Sequence, residues 1–220
     1  MRETVNKTVI DLSAYPRRAH FEYFRTLQSP HVGVTVDVDV SALMRFCRAR
    51  GCSFYLTMIH AAALAANRVP ELRQRICGDG IVQYDFCDTS HTESVGDGTY
   101  CYCTLRHDMP FAQYIEDARE RQAACRAHGG LEEDGEAEGL LFISTLPWLH
   151  YTALVQPTGG AQDSNPRITW GRAQADGSGR LMMPVSLLCY HALVDGARLA
   201  AFYRQLDEAI AAIAAGGMKG

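Results

Sequence analysis

The chain has 220 residues, of which 47% are hydrophobic and 21% charged, a balance ordinary for a globular protein with one sizeable core. Its formal net charge of -4 offers no basic surface for nucleic acid. The sequence also has no run of about 18 apolar residues, the length that would predict a membrane span. The first five residues, Met-Arg-Glu-Thr-Val, lack the apolar centre of a signal peptide. We therefore expect one cytoplasmic domain over 1–220 that binds neither nucleic acid nor membrane.

The first part of the chain carries one clear strand signal followed by two helix signals. Apolar and polar residues alternate over 31–40, which predicts a strand, after a short segment with aromatic anchors. Ser41 is expected to cap a helix over 42–50, and Ser53 is expected to open a longer helix that runs toward Val69.

The remainder is predicted to be mainly strand, broken by helices over 110–128 and 197–215 and by a solvated Glu- and Gly-rich loop over 129–139. The expected strands are short apolar runs at 81–84, 99–105, 140–145, a weaker one at 151–156, 167–172 and 180–189. Strands and helices do not alternate strictly. This order favours an α+β fold, with a mixed, mainly antiparallel sheet and helices packed on it.

The eight cysteines are scattered through apolar segments and are expected to be reduced thiols. Cys101, Cys103 and His107 are candidates for a metal cluster. However, two thiols at alternate positions of a strand simply share one face, and no second cysteine pair follows them. We therefore predict no metal site.

The stretch 190–196, Tyr-His-Ala-Leu-Val-Asp-Gly, is the most informative part of the sequence. It places His191 between a predicted buried strand and the last helix, at a strand end where scaffolds commonly present catalytic groups. An imidazole there can act as a base near neutral pH. From spacing alone, a hydrogen-bonded structural histidine is the alternative interpretation. Asp195, one turn later, is placed to fix the local backbone or to bind a cation.

Four stretches carry motifs that belong together. Residues 15–22 contain Arg-Arg-x-His-Phe, and 58–73 contain an apolar helix that ends in Asn followed by a Pro-Glu-Leu-Arg turn. Residues 143–148 contain Ser-x-Leu-Pro-Trp, and 190–196 contain His-x-x-x-Asp-Gly. In this order, and over nearly the whole chain, these motifs resemble those of the chloramphenicol acetyltransferase family.

The resemblance implies a CoA-dependent acyltransferase fold, a two-layer sandwich of sheet and helices. It also implies a homotrimer with active sites in clefts between neighbouring subunits. Acetyl-CoA would be the co-substrate, with no permanently bound cofactor. The acceptor would be a hydroxyl of a small molecule, chloramphenicol being the leading candidate, which would make the protein an antibiotic-resistance enzyme.

The family's catalytic residues carry over by position. His191 would be the general base that deprotonates the acceptor hydroxyl, so that its oxygen attacks the thioester carbonyl. Ser144 would stabilise the oxyanion, although a strand serine hydrogen-bonded to backbone is the alternative without the resemblance. Asp195 would pair with Arg17, or with its neighbour Arg18, and hold the loop that orients His191.

Three further residues fall on the cofactor side of the resemblance. Thr169 matches a threonine that supports the intermediate through bound water. Arg172 falls where the family has a basic residue near the CoA phosphates, with an exposed surface arginine as the alternative. Trp148 closes the Ser-x-Leu-Pro-Trp motif and is placed with them.

The acceptor side departs from the family pattern. Tyr23 and Phe24 stand in the reverse of the family's aromatic order, so Phe24 lacks a hydroxyl. Residues 87–98 replace a more aromatic segment and are expected to be more polar and more flexible, and Phe142 stands where a polar residue is common. Tyr23, Phe24 and Phe142 are nonetheless expected to contact the acceptor. Tyr190, in place of the family's first histidine, is expected to change packing and not the reaction. The donor half thus looks retained and the acceptor pocket altered, so an acyltransferase with another acceptor is the alternative to chloramphenicol, the leading candidate.

Two other functions compete with this interpretation. The catalytic domain of a 2-oxo acid dehydrogenase acyltransferase shares the fold and the His-x-x-x-Asp-Gly ending, but the sequence shows no lipoyl domain, linker or peripheral-subunit-binding segment. A non-catalytic trimeric protein that binds a small hydrophobic ligand is the second. The joint presence of His191, Asp195, Arg17 and Ser144 argues against it, because binding alone requires none of them.

Overall fold

The computed structural model describes residues 6–96, 98–132, 136–160 and 162–216. In these residues the helices are α1 (Arg18–Phe24), α2 (Ser41–Arg50), α3 (Phe54–Asn67), α4 (Phe111–His128) and α5 (Gly196–Ala214). The strands are β1 (Lys7–Val9), β2 (His31–Asp39), β3 (Gln74–Cys77), β4 (Gly80–Tyr84), β5 (Asp88–Ser94), β6 (Tyr100–Leu105), β7 (Leu140–Leu146), β8 (Arg167–Gly171), β9 (Gln174–Ala175) and β10 (Leu181–Tyr190). No helix in this part of the chain is long and apolar enough to cross a bilayer.

A mixed sheet of seven strands forms the centre of the fold, in the order β2-β10-β8-β7-β5-β6, with β9 paired to β10. The pairs β5–β7 and β7–β8 are parallel, and the others are antiparallel. A smaller antiparallel sheet has the order β1-β4-β3. The predicted α+β architecture with a mixed, mainly antiparallel sheet is therefore confirmed.

The two faces of the large sheet have opposite character. On one face, Ile143, Ile168 and Leu187 of adjacent strands lie beside one another in the buried core, into which helices α3, α4 and α5 also pack. Because side chains alternate along a strand, their neighbours point the other way. That second face carries a row of hydroxyl side chains and is called the hydroxyl face below. The row consists of Thr35, Ser186, Thr169 and Ser144.

Ser41 does not cap α2 as predicted, because the helix begins at Ser41 itself and Val40 takes the capping position. The Ser41 hydroxyl instead accepts a hydrogen bond from the backbone N–H of Leu181, 2.8 Å away, which ties α2 to the start of β10. Ser53 does cap α3, since its Oγ accepts from the N–H of Leu56 at 3.3 Å.

Two predictions for irregular or weak segments are wrong. The stretch 151–156 forms no strand, and it crosses the hydroxyl face through side-chain hydrogen bonds instead of a backbone ladder. Conversely, 87–98 is predicted to be more polar and more flexible than the family's segment, whereas Asp88–Ser94 form the largely buried strand β5. Its Thr89 has a buried partner, since the Thr89 hydroxyl lies 2.8 Å from a ring nitrogen of His107. Residue 97 lies outside the described residues.

The expectation that every thiol is reduced is wrong for one pair, because Cys101 on β6 and Cys125 on α4 form a disulfide. This bond attaches the strand β6 to the helix that covers it. Cys103 lies on the same face of β6, buried, as the alternation of the strand predicts. Of the predicted loop 129–139, residues 133–135 lie outside the described part, and Ala137–Gly139 form a short 3-10 helix.

Candidate active site

His191 stands in the turn that follows β10, as its sequence position predicts. Its backbone N–H donates to the carbonyl of Pro30 at 2.8 Å, which fixes the turn against the start of β2. Its ring Nδ1 lies 2.9 Å from the carbonyl oxygen of Val194. Since a carbonyl only accepts, Nδ1 must carry a hydrogen, so in the neutral ring Nε2 has the lone pair. The turn therefore holds the imidazole in the tautomer that a general base requires.

The aromatic end of α1 packs on this histidine. The ring centroid of Phe24 lies 4.0 Å from that of His191, with 36° between the two planes. Tyr23 contacts Phe24 edge to face at 5.1 Å and is 62% exposed. Phe24, predicted from the resemblance to contact the acceptor, thus also determines where the imidazole ring lies.

Asp195 is the N-cap of α5 and the meeting point of two arginines. Its carboxylate accepts from the backbone N–H of Arg198 at 3.2 Å, and it lies 3.3 Å from the guanidinium of Arg198 and 3.7 Å from that of Arg17. Arg17 also donates to the carbonyl of Leu193. Burial raises the pKa of Asp195, but the N–H of Arg198 and the charges of both arginines outweigh it and lower that pKa. Asp195 is therefore ionised near neutral pH.

The arrangement distinguishes between the two candidate arginines. Arg18 pairs with Glu22 on the surface of α1 at 2.7 Å, so Arg17 is the partner of Asp195. Arg198, which sequence reasoning missed, also pairs with Glu71 at 2.9 Å and links the start of α5 to the Pro70–Arg73 turn. The signal for it was present, because a basic residue three positions after a capping Asp lies on the first turn of the helix.

Ser144 and Thr169 are directly paired neighbours on β7 and β8, in the hydroxyl face. The row continues as a chain of hydrogen bonds that sequence reasoning missed. Thr35 Oγ1 and Ser186 Oγ lie 2.7 Å apart, and Ser186 donates to the hydroxyl of Tyr151 at 3.2 Å. Tyr151 in turn donates to the backbone carbonyl of Thr169 at 2.9 Å. Register across three strand pairs, and not sequence proximity, brings these groups together.

Gln156 is a further polar residue that sequence reasoning missed. The Thr169 hydroxyl donates to Gln156 Oε1 at 2.7 Å. Gln156 belongs to the segment predicted as a weak strand. In such a segment a polar residue is interpreted only as one of the alternating polar positions, and no specific contact is predicted for it. In the structure this segment lies over the hydroxyl face, so Gln156 reaches the buried Thr169 directly.

A cavity of about 450 Å³ opens beside Ser144. Phe142, expected at the acceptor side, lines it, and the guanidinium of Arg167 lies 5.3 Å from the centroid of the Phe142 ring. Strand β5 contributes Ser90 and Thr92 to the wall. The cavity is large enough for a small molecule, since ligand pockets typically have volumes of about 300–1,000 Å³.

Trp148 and Arg172 lie near one another on the surface, beyond the ends of the parallel strands β7 and β8. The N–H of Arg172 donates to the carbonyl of Leu149 at 2.6 Å, and Trp148 is 75% exposed. Gly171 permits this approach, because a Cβ there would lie 2.4 Å from the Leu149 carbonyl oxygen. Both side chains lie outside the core. They are at the edge of the sheet where β7 ends after Ser144.

Within one chain, the structure does not bring Ser144 and His191 together. Ser144 lies in register with Ser186 through Thr169, two strands away, which is about 10 Å. Tyr190, the neighbour of His191, lies four residues beyond Ser186 on β10, which is about 14 Å at about 3.4 Å per residue. The two backbones are thus separated by roughly 17 Å.

Comparisons with known proteins decide the family. The family model for chloramphenicol acetyltransferase matches residues 5–207. This chain belongs to the chloramphenicol acetyltransferase family. Chloramphenicol acetyltransferase 3 of Escherichia coli is 27% identical over 210 residues, which cover 93% of this chain and 97% of that protein. The resemblance stated from the four motifs is therefore confirmed.

Solved structures agree with the family membership. A chloramphenicol acetyltransferase structure is similar with a TM-score of 0.82 and 26% identity, covering 93% of this chain and all of that one. The dihydrolipoamide acetyltransferase of Azotobacter vinelandii is similar with a TM-score of 0.68 and 20% identity, covering 90% of this chain and 88% of that one. The latter similarity shows a shared fold alone. The predicted acyltransferase fold is thereby confirmed, and family membership supports an acetyltransferase.

Proposed function

We propose that this protein transfers the acetyl group of acetyl-CoA to a hydroxyl of a small molecule, with chloramphenicol as the first acceptor to test. The observation that carries the proposal is the Nδ1 contact of His191 with the Val194 carbonyl at 2.9 Å, because it leaves Nε2 as a proton acceptor on a fixed ring. A positioned base of this kind contributes about 10²–10⁴-fold in rate. The whole chain would act as one catalytic domain.

The reaction follows from the residues in place. His191 Nε2 takes the proton of the acceptor hydroxyl as its oxygen attacks the thioester carbonyl carbon. The carbonyl oxygen becomes negative, and the Ser144 hydroxyl donates a hydrogen bond to it, with Thr169 beside it in the row. Collapse of the intermediate breaks the carbon–sulfur bond and releases the CoA thiolate, which recovers the proton from the His191 imidazolium. Exposed Trp148 and Arg172 would contact CoA.

The separation of Ser144 from His191 supports a site shared between subunits. The base must reach the acceptor hydroxyl while Ser144 reaches the carbonyl oxygen of the thioester that this hydroxyl attacks, and a backbone separation of roughly 17 Å within one chain opposes that. If His191 of one subunit faces Ser144 of the next, a closed ring of identical subunits completes every site. We propose a homotrimer on this basis and on family membership.

The first test measures CoA release from acetyl-CoA with chloramphenicol and with a panel of other small alcohols. A thiol reagent reports the release, with a control for the protein's own thiols, of which Cys77 is exposed. His191→Ala should lose at least about 10²-fold in rate while acetyl-CoA still binds. Exposed His20→Ala is the matched control and should keep the wild-type rate. Retention of most of the rate in His191→Ala would show that the base is misassigned.

A second test addresses the shared site. His191→Ala and Ser144→Ala chains, each nearly inactive alone, are unfolded together and refolded in equal amounts. If the sites of a trimer are shared, random mixing leaves one of the three sites intact in most assemblies. The mixture should then have about a quarter of the wild-type activity. Activity no higher than that of the single variants would show that each site lies within one chain.

The same panel separates the rival functions. Dihydrolipoamide as the preferred acceptor would favour a 2-oxo acid dehydrogenase type of acyltransferase. Acetyl-CoA that binds without any turnover or thioester hydrolysis, across every acceptor, would favour a non-catalytic binding protein. An acceptor other than chloramphenicol would fit the altered acceptor side.

A further inference from the structure

The end of helix α2 brings two cysteines together. Gly51, with a φ of 64°, takes the left-handed conformation that commonly ends a helix. The backbone N–H of Cys52, the next residue, donates to the carbonyl of Cys47 at 3.1 Å. This is the six-residue hydrogen bond of a Schellman motif, in which the side chains of the two bonded residues commonly touch. The way the helix ends therefore favours contact between the two thiols.

The surroundings of the two sulfurs agree with this contact. Thr57 Oγ1, on α3, lies 3.8 Å from Cys52 Sγ. Burial raises the pKa of the Cys47 thiol to about 11, while hydrogen bonding with the Thr57 hydroxyl lowers it and hydrogen bonding with the Cys52 thiol raises it. Disulfides join residues whose Cα atoms lie about 4.4–6.8 Å apart, a separation that a direct backbone hydrogen bond between two residues typically gives. The two cysteines are thus placed to form a covalent bond.

The two thiols differ in their access to solvent. Cys47 is buried in the core, whereas Cys52 is half-buried and lines a cavity of about 340 Å³ between α2, α4 and the end of α5. A small oxidant in this cavity can therefore reach Cys52, and Cys47 lies behind it. An accessible thiol beside a second, resolving thiol is the arrangement that makes oxidation of cysteine reversible.

We propose that Cys47 and Cys52 form a peroxide-sensitive dithiol that closes reversibly into a disulfide. Hydrogen peroxide transfers an oxygen to Cys52 Sγ. The O–O bond breaks, water leaves, and the sulfur is oxidised to a sulfenic acid while the peroxide is reduced. Cys47 Sγ then attacks Cys52 Sγ, so that the S–S bond forms, the S–O bond breaks, and hydroxide leaves with the Cys47 proton as a second water. A dithiol reductant restores both thiols. The proposed acetyl transfer is not needed for this chemistry.

Peptide mapping of the wild-type protein tests the proposal directly. Arg48 and Arg50 stand between the two cysteines, so trypsin separates Cys47 from Cys52. The protein is treated with hydrogen peroxide, the excess is removed with catalase, and the remaining thiols are alkylated before digestion. Peptide 46–48 should then be joined to peptide 51–68 with the loss of two hydrogens, and dithiothreitol should release both. The Cys101–Cys125 disulfide joins different peptides, 76–106 and 122–126.

Two substitutions test the order of the steps. In Cys47→Ser, the sulfenic acid at Cys52 has no thiol to resolve it and should be trapped by dimedone, a reagent for sulfenic acids. In Cys52→Ser, Cys47 should take up no dimedone, because it is buried. Cys77→Ser removes an exposed free thiol and is the matched control, which should form the linked peptide in the wild-type yield. Thermal unfolding identifies any variant that fails to fold, and the mapping of the wild-type protein requires no variant.

The outcomes are distinct. If Cys47 and Cys52 are both recovered as alkylated thiols from a sample in which peroxide has oxidised exposed Cys77, the two cysteines form no redox pair and only fill the end of the helix. A linked peptide that dithiothreitol does not open would contradict the reversible disulfide. A dimedone adduct at Cys47 in Cys52→Ser would overturn the assignment of Cys52 as the thiol that peroxide attacks.

Discussion

The ring of Phe24 lies 4.0 Å from that of His191, so the imidazole is fixed from two directions, by this ring on its face and by the Val194 carbonyl at Nδ1. Phe24→Ala removes one of the two and allows the ring to turn. Because a misplacement of about 1 Å at a reacting group can cost about 100-fold in rate, we expect kcat to fall by at least about 10-fold. Steady-state rates of acetyl transfer with the best acceptor measure the effect.

Two variants control for this experiment. Phe24→Tyr keeps the aromatic face and should stay within a few-fold of the wild-type rate. Phe46→Ala removes a half-buried phenylalanine on α2, which contacts Phe111 at 5.8 Å, and should lower stability without lowering kcat. If Phe24→Ala has the wild-type kcat, then the Val194 contact alone is sufficient to orient His191.

Ser144→Ala should lower kcat by about 10²–10³-fold and leave KM nearly unchanged, because the oxyanion that Ser144 would stabilise exists only in the transition state and intermediate. Thr145→Val is the matched control, since Thr145 is the next residue of β7 and points to the opposite face, in register with Trp170. Comparable losses in the two variants would indicate that β7 is merely sensitive to substitution and that Ser144 has no special role.

Arg17→Ala should lower both the free energy of unfolding and kcat, because Arg17 lies 3.7 Å from Asp195, donates to the Leu193 carbonyl and has a side chain only 12% exposed. We expect a loss of stability of about 1–3 kcal/mol, the cost of leaving the carbonyl of buried Leu193 without this donor and Asp195 with one arginine fewer. Arg18→Ala breaks only an exposed pair on one helix, worth about 0.3–0.5 kcal/mol. Urea unfolding and steady-state kinetics of both variants test the difference. A larger effect on kcat from Arg18→Ala would contradict the assignment of Arg17.

The parts of the site that the sequence predicted are those defined by local pattern. His191 follows a buried apolar strand and precedes a capped helix, and both features are visible within about a dozen residues of it. The role of Arg17 came from the resemblance, and the choice between Arg17 and Arg18 had to wait for the structure. Arg17 is the N-cap of α1 and Arg18 is its first residue, so their side chains point in different directions, which no spacing rule resolves.

The parts that were missed depend on pairing between distant strands. Thr35 and Ser186 are 151 positions apart, and their contact follows only from the register of β2 with β10. Strand β5 was missed because its polar residues lack an apolar period, although Gln122 and Arg126 of α4 donate hydrogen bonds to its Glu93. Gln156 was missed since a segment that lies across a sheet looks, in sequence, like a weak strand of it.

The buried histidine pair His60 and His107 gives a prediction for the dependence of stability on pH. Their Nδ1 atoms lie 3.1 Å apart, and His107 Nε2 lies 2.8 Å from the Thr89 hydroxyl, in a stack of rings that includes Tyr114. Burial lowers the pKa of His60 to about 4, and burial together with the charges of neighbouring histidines lowers the pKa of His107. Both rings are therefore neutral in the folded protein near pH 7.

The direction of this pH dependence follows from whether the folded or the unfolded protein binds more protons. Below pH 6.5, the ordinary histidine pKa, the unfolded chain takes up a proton at residue 60, whereas the folded protein does so only near pH 4. The free energy of unfolding therefore falls as the pH drops through this window, and His60 contributes nothing to the pH dependence well above it. Between pH 7 and pH 5 the loss from His60 is about 2 kcal/mol.

His60→Phe should keep the aromatic stack and reduce the difference in the free energy of unfolding between pH 7 and pH 5 by about that amount, as measured by urea unfolding at both pH values. His20→Phe, at an exposed position, should leave the difference unchanged. If the free energy of unfolding of His60→Phe falls as much between pH 7 and pH 5 as that of the wild-type protein, other groups take up the protons in this window.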